Sequence, residues 1–343
     1  MFGTPLAARY GARATLYTDR AAWLAARPGQ DRANIGASEA PCILGTGFRS
    51  PFEFWYQRTQ TEDAAPDEQD CVPAEDGEHV DRHDDPLVRG NAWEGMVRQV
   101  YSLATGRPCV ESGAALGGPA GSLAIVRHAT IPWLGVSPDA FTVDDGDVGG
   151  VECKTSVTRG ALWAPTGLVL VRADDYQGTE FDPGYLTQVY WQCEAMDLPF
   201  VDLAVLLGNY RLRWYRILRD EPTQRQLVDA IGAWREKHLV RGEAPPVDGS
   251  SDATAWLSRR YAAIRKYTVE ADDAVTCARL YRFAEVKAIA KAADAEAKLL
   301  RNQLAETMGE ATTLHDIGDR TRGVNLSMGA RRAMTVYGFS NQE

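Results

Sequence analysis

The sequence predicts an α/β protein in which a central mixed sheet is flanked by helices and followed by a C-terminal helical extension. Three observations carry that prediction. Segments whose apolar residues recur three and four apart alternate with short runs of alternating or continuous apolar residues. Their order is helix, three strands, helix, two strands, and past Pro245-Pro246 the pattern becomes helical. The chain has 343 residues, 45% of them hydrophobic and 24% charged, with nine tryptophans, a profile of folded globular proteins. That length suits one large domain with an appendage, here expected as residues 1–245 and 246–343.

Along the chain, 12–30 reads as a helix around Trp23 and Leu24, closed by Pro28-Gly29, and 35–45 restarts a helix with Ser38 near its N-terminus. Trp93, Met96, Val97, Val100 and Tyr101 share one face of a helix over 91–103 that also bears Glu94. Strands are expected near 123–130, 133–143 and 148–155, the last two joined by a turn at 144–147. Residues 184–196 form a helix, 201–210 and 212–218 two strands, and 221–241 a helix. From Leu280 to Met308 a three-and-four apolar spacing runs for about 28 residues, a rod of roughly 40 Å suited to packing on its own domain or on a partner subunit.

The net charge of -10 is concentrated. Residues 61–85 hold eleven acids and one base, Arg82, and the rest of the chain balances to zero. This acidic, proline-containing stretch reads as a solvated loop. An acidic total does not exclude DNA, because a metal site itself gathers carboxylates. The six cysteines, at 42, 71, 109, 153, 193 and 277, include no close pair, which counts against a zinc knuckle or an iron-sulfur cluster and points to reduced thiols. No apolar run reaches the roughly 18 to 20 residues that span a bilayer, and the first twenty residues lack a signal-peptide core, so a cytoplasmic protein without membrane attachment is expected.

The chemistry-bearing pattern is Ser137-Pro138-Asp139 followed, after twelve residues, by Glu152-Cys153-Lys154. Side chains alternate along a strand, so Glu152 and Lys154 share a face while Cys153 points into the core. A hairpin brings Asp139 to the same side. Converging carboxylates repel unless a cation lies between them, and a hard divalent ion such as Mg²⁺ is the natural occupant. A lysine beside them can hold or deprotonate an attacking water, which points to phosphodiester cleavage.

Five segments in order, IGASEAPCILG (35–45), GNAWEGMVRQVY (90–101), WLGVSPDAF (133–141), GGVECKTS (149–156) and YLTQVYWQCEAM (185–196), resemble the successive motifs of the YqaJ-like viral recombinases, the group that includes lambda exonuclease. The likeness spans about residues 20–240. It implies a restriction-endonuclease-like, PD-(D/E)xK nuclease core and a 5′-to-3′ exonuclease acting on double-stranded DNA ends. It also implies two Mg²⁺ ions, replaceable by Mn²⁺, a ring-shaped homotrimer, and a single-strand annealing protein as partner. By the same resemblance Glu94, Asp139, Glu152 and the Cys153 carbonyl are metal ligands, and Lys154 is the water-activating residue. Ser38, Ser137 and Gln188 match positions near the cleaved strand or the terminal 5′-phosphate, a role that hydroxyls and an amide can fill. The first motif also calls for an arginine. The insertion PGQDRAN before Ile35 leaves both Arg27 and Arg32 as candidates, with Arg27 favoured.

Two other readings stay open at this level: a structure- or site-specific endonuclease built on the same core, and a non-cleaving DNA- or partner-binding module. Some residues suit bland roles. His128 reads as a hydrogen-bonded structural histidine, and Trp191, Tyr190 and Tyr185 as core. Arg211, Arg213, Arg216 and Arg219 alternate with apolar residues, a basic face that solvent explains as well as DNA does.

Overall fold

A computed structural model describes residues 6–27, 33–60, 86–156, 163–208, 210–261, 269–316, 318, 322–328 and 332–337. The acidic stretch 61–85 and Arg32 lie outside the described residues. The chain divides into two compact units, Met1–Ala262 and Ala263–Glu343.

The first unit begins with α1 (Leu6–Tyr10), β1 (Ala14–Tyr17), α2 (Arg20–Ala26), α3 (Ala40–Ile43), α4 (Pro51–Gln60) and α5 (Pro86–Thr105). It continues with β2 (Cys109–Glu111), α6 (Ser112–Ala115), β3 (Leu123–Arg127), β4 (Gly135–Val136), β5 (Ala140–Asp144), β6 (Asp147–Ser156) and β7 (Leu168–Leu170). It closes with α7 (Pro183–Met196), β8 (Phe200–Leu207), β9 (Leu212–Leu218), α8 (Glu221–Arg235) and α9 (Ser251–Arg260). Six strands form the main sheet in the order β2-β5-β6-β8-β9-β7, and β1, β3 and β4 make a small antiparallel one. β5 and β6 are an antiparallel hairpin, β6 and β8 run parallel, and β8 and β9 are antiparallel. Joining two parallel neighbours requires a crossover, which here includes α7. This mixed sheet between helices is the central layer that the sequence predicts.

Alternation along the strands sends apolar residues to both faces. On one face Phe141, Leu203, Val205, Tyr215 and Ile217 share a core with Val189, Trp191, Cys193 and Met196 of α7. On the other, Val151, Ala204 and Leu206 pack with Val97 and Tyr101 of α5.

Up to the end of the first unit the structure differs from the sequence expectation in four places. The helix expected over 12–30 is a strand, β1, followed by the short α2, because Ala14–Tyr17 pairs with Leu123–Val126 and the Asp19 carboxylate caps α2 by accepting from the N–H groups of Ala21 and Ala22. The helix expected over 35–45 shrinks to α3. The strand expected over 133–143 is two strands, broken at Ser137-Pro138. Proline has no N–H for a ladder, and the chain leaves the small sheet for the large one at that point, delivering Asp139 to the mouth of β5. The boundary expected at 245/246 falls at 262/263. The reason is α9, whose Ala253 packs with Phe52, Trp55 and Tyr56 of α4, with Trp256 edge-on to Phe52. The turn between β5 and β6 is as expected, with Asp145 and Gly146 at φ 49° and 91°, the left-handed geometry of a two-residue hairpin.

In the second unit, α10 (Ala274–Met308) has 35 residues, about 52 Å at 1.5 Å per residue. Leu280, Phe283, Val286, Ile289, Leu299 and Leu300 are exposed on it. The sequence predicts a helical region here, with a long helix about 280–308. Instead β10 (Thr313–His315), β11 (Gly323–Met328) and β12 (Arg332–Tyr337) form an antiparallel sheet, after Gly309 at φ 54° ends the helix. No helix among the described residues is long and apolar enough to cross a membrane. Cys42, Cys109, Cys153, Cys193 and Cys277 are free thiols.

An ionic network ties β5, β8 and β9 together. Asp202 of β8 is fully buried and stands opposite Arg216 of β9. The guanidinium grips it through Nε and Nη2, both at 2.8 Å, and donates through Nη1 to Asp144. Arg107 reaches Asp144 at 3.0 Å, and the Tyr101 hydroxyl donates to Asp202. Removing one partner strands a buried charge, so Arg216→Met should lower unfolding free energy by about 3–5 kcal/mol, read from chemical denaturation midpoints. Hydrogen bonding from Arg216 holds the Asp144 carboxyl below the usual carboxylate range. A depressed acid stabilises the fold above its unfolded pKa, about 3.9, and that contribution is lost as pH falls below it. The decline of Tm below about pH 4 should therefore be shallower in Asp144→Asn than in wild type.

Candidate active site

The site is assembled where β5, β6, α5 and α7 meet. Glu152 and Lys154 are two residues apart on β6 and so project to the α7 face, while Val151 and Cys153 pack toward α5. Glu152 is 3% exposed, and its carboxylate is held on three sides. Oε1 accepts from Gln188 Nε2 at 2.6 Å and lies 2.6 Å from Lys154 Nζ; Oε2 accepts from the amide of Gln192. Gln188 and Gln192 are one helical turn apart on α7, so both amides face the same carboxylate.

Asp139 enters beside this group. Its Oδ2 accepts from the Cys153 N–H at 2.8 Å and its own carbonyl from Ser112 N at 3.1 Å, which fixes the Ser-Pro-Asp turn against β6 and α6. Burial, then the charges of Glu152 and Glu94, push the Asp139 carboxyl well above the ordinary aspartate range. Glu94 arrives from α5 and is raised by burial, against the opposing pull of Arg98 and with a further push from Glu152 and Glu111. Arg98, one turn on, pairs with Glu94 at 3.1 Å and with Glu111 at 3.6 Å. Burial alone would lower the Lys154 pKa, but the charges of Glu152 and Asp139 outweigh it and raise it above an ordinary lysine. Lys154 is therefore an ammonium at neutral pH.

Three mutually repelling carboxylates, with the Cys153 carbonyl on the same strand, are a hard oxygen donor set that suits a divalent cation such as Mg²⁺. Among the described residues, no three His, Cys, Asp or Glu side chains are drawn around one point as a finished metal site. Glu152 accounts for this, since both of its oxygens are turned to Gln188, Gln192 and Lys154.

Of the residues singled out in the sequence, Asp139, Glu152, Cys153, Lys154 and Gln188 come together, with Glu94 close enough to perturb Asp139. Gln188, expected near the phosphate, spends an amide N–H on Glu152. Arg27 and Ser38 form a second pair: the guanidinium lies 4.8 Å over the Trp23 ring and its Nη2 donates to Ser38 Oγ at 3.4 Å. Ser137 is half-buried in the turn two residues before Asp139. His128 is structural, its Nδ1 accepting from Ile131 N at 3.0 Å, and Tyr190 and Trp191 are core residues. Tyr185 is different, since its ring lies 5.5 Å from Lys154 Nζ. Sequence reasoning missed Gln192 and Arg98. Both stand four residues after a singled-out residue on the same helix, Gln188 and Glu94, and that spacing was the available signal.

The curated protein YqaJ of Bacillus subtilis (strain 168), described as uncharacterized, is 24% identical over 293 residues, covering 84% of this chain and 78% of that protein. Among solved structures, the alkaline exonuclease LHK-Exo of Laribacter hongkongensis aligns with 70% of this chain and 97% of its own, at 17% identity and a TM-score of 0.40, and its complex with dAMP aligns equally. The YqaJ-like viral recombinase domain profile matches residues 22–193, half of the chain. The chain belongs to the YqaJ-like viral recombinase domain family and is a deoxyribonuclease.

Proposed function

We propose that this deoxyribonuclease is a Mg²⁺-dependent 5′-to-3′ exonuclease of linear double-stranded DNA, leaving 3′ single-stranded tails for phage-type recombination. One observation carries the chemistry: a lysine ammonium 2.6 Å from a buried glutamate, beside two further carboxylates that repel it and each other. The exonuclease mode, the 5′-to-3′ direction, the annealing protein as partner and a homotrimer are what the motif resemblance implies, and membership of the YqaJ-like family supports that reading.

Glu94, Asp139, Glu152 and the Cys153 carbonyl would hold the cations, two in number, with Mn²⁺ able to substitute. A bound divalent ion lowers the pKa of water and offsets the negative charge that builds on phosphorus. The chain's own residues do the rest. Lys154, kept protonated by Glu152 and Asp139, donates to the attacking water or to a non-bridging phosphate oxygen and so orients attack. Gln188 and Gln192 fix the rotamer of Glu152. The Cys153 N–H fixes Asp139. Arg27 and Ser38, already hydrogen-bonded to each other, would receive the terminal 5′-phosphate.

Purified protein with Mg²⁺ should release nucleotides from linear duplex, faster with a 5′-phosphate, and leave closed circles intact. Lys154→Ala should lower the rate by about 10²-fold or more. Cutting of the circle would favour the endonuclease instead, and an absence of Lys154-dependent cutting would leave a binding module. A separate readout concerns the cation. Asp139→Asn keeps an acceptor for the Cys153 N–H but removes one repelling charge, so with chelator it should melt above wild type. Added Mg²⁺ should raise the wild-type Tm and leave that of Asp139→Asn nearly unmoved. Equal Mg²⁺ shifts in the two proteins would remove Asp139 from the ligand set.

A further inference from the structure

The four arginines of the β9 region have different fates in the fold. Arg216 is committed to Asp202 and Asp144, and Arg219 to Asp197, Glu194 and Glu221. Arg211 is engaged as well. Arg213 stands apart in one respect: among the described residues it forms no ion pair, while its Nε, like that of Arg219, is shut from solvent without a hydrogen-bond partner.

Strand register shows which way it points. Lys154 of β6 pairs with Val205 of β8, and Val205 pairs with Arg213 of β9. Paired residues of neighbouring strands project from the same face, so Arg213 shares the face of Lys154, two strands away, about 10 Å at the usual spacing. Aromatic rings link the two along that face. The Lys154 ammonium lies over Tyr185, Tyr185 stacks on Trp163 at 5.9 Å, and Trp163 stacks on Tyr215 at 6.3 Å. Tyr215, two residues from Arg213, is on its side of β9. Lys154, Tyr185, Trp163 and Arg213 are only half-buried, so this face is not sealed by the core.

A phosphodiester strand approaching Glu94, Asp139 and Glu152 meets carboxylates, and needs fixed positive charge beside them to stay. We propose that Arg213 is a phosphate-contacting residue, gripping a backbone phosphate of the nucleic-acid strand that crosses the Lys154 face, next to the one being cleaved. Its planar fork of donors suits two phosphate oxygens at once, and such a contact positions the strand without reading sequence. The inference rests on the nuclease reading above.

The test measures duplex binding by the full-length protein as a function of salt, with calcium replacing magnesium to suppress cutting. Arg213→Gln should weaken binding equally for unrelated sequences and reduce the slope of log K against log salt by about one. Arg213→Lys, which keeps the charge, should retain the wild-type slope while weakening binding modestly. A wild-type slope in Arg213→Gln overturns the proposal. Loss of slope in Arg213→Lys overturns it too, even if the glutamine variant fails to fold. If the wild type itself binds no duplex, the nuclease reading falls and the Arg213 contact with it. Duplex binding with a normal slope in both variants removes Arg213 alone.

Discussion

A negative charge buried on the middle of the sheet sets the terms for everything around it. Glu152 sits on β6 with 3% exposure, and an uncompensated carboxylate there would cost several kcal/mol. Two amides from one face of α7 and the ammonium two residues along β6 supply the compensation. That requirement ties α7 to β6 by polar contacts as well as by the apolar core, and keeps the β6-α7-β8 crossover in one register. Asp139 is tied in turn to the β6 backbone through the Cys153 N–H. The active-site geometry and the packing of the central layer are one arrangement.

A second buried carboxylate does the complementary work on the opposite face of the sheet. Asp202 joins β8 to β9 through Arg216, and Arg216 extends the link to Asp144 at the β5-β6 turn. Both carboxylates of this network are paired, through salt bridges and a tyrosine hydroxyl. In the candidate site, by contrast, Asp139 and Glu94 are both raised by burial and by other carboxylates. Paired charges hold strands together, and opposed charges hold a place for a cation at the expense of stability.

The arginines of β9 illustrate how topology sorts residues that look alike in sequence. Arg216 and Arg213 are three apart, so they lie on opposite faces of the strand. One faces Asp202 and the α5 side of the sheet, where it becomes internal. The other faces the α7 side along with Lys154, where the Glu152 carboxylate is already taken by the amides and the lysine. The same alternation that builds the core decides which cation is structural and which remains available to a ligand.

Much of the site was legible before the fold was known. The Asp139, Glu152 and Lys154 pattern rests on the two-residue period of a strand and on a short hairpin, both local properties, and five motifs in order supplied Glu94 and Gln188 by resemblance. Local rules also gave α7, β8, β9 and the turn at Asp145-Gly146. They failed where pairing is long-range. Residues 14–17 are a strand only because 123–126 lie beside them, and 313–337 form a sheet only because β11 meets β10 and β12. The clamp of Gln192 on Glu152, the bond of Arg27 to Ser38, and the division of labour among the β9 arginines were likewise decided by tertiary structure. Sequence spacing fixes which side chains share a face of one element; which charge waits across the gap depends on how separate elements are brought together.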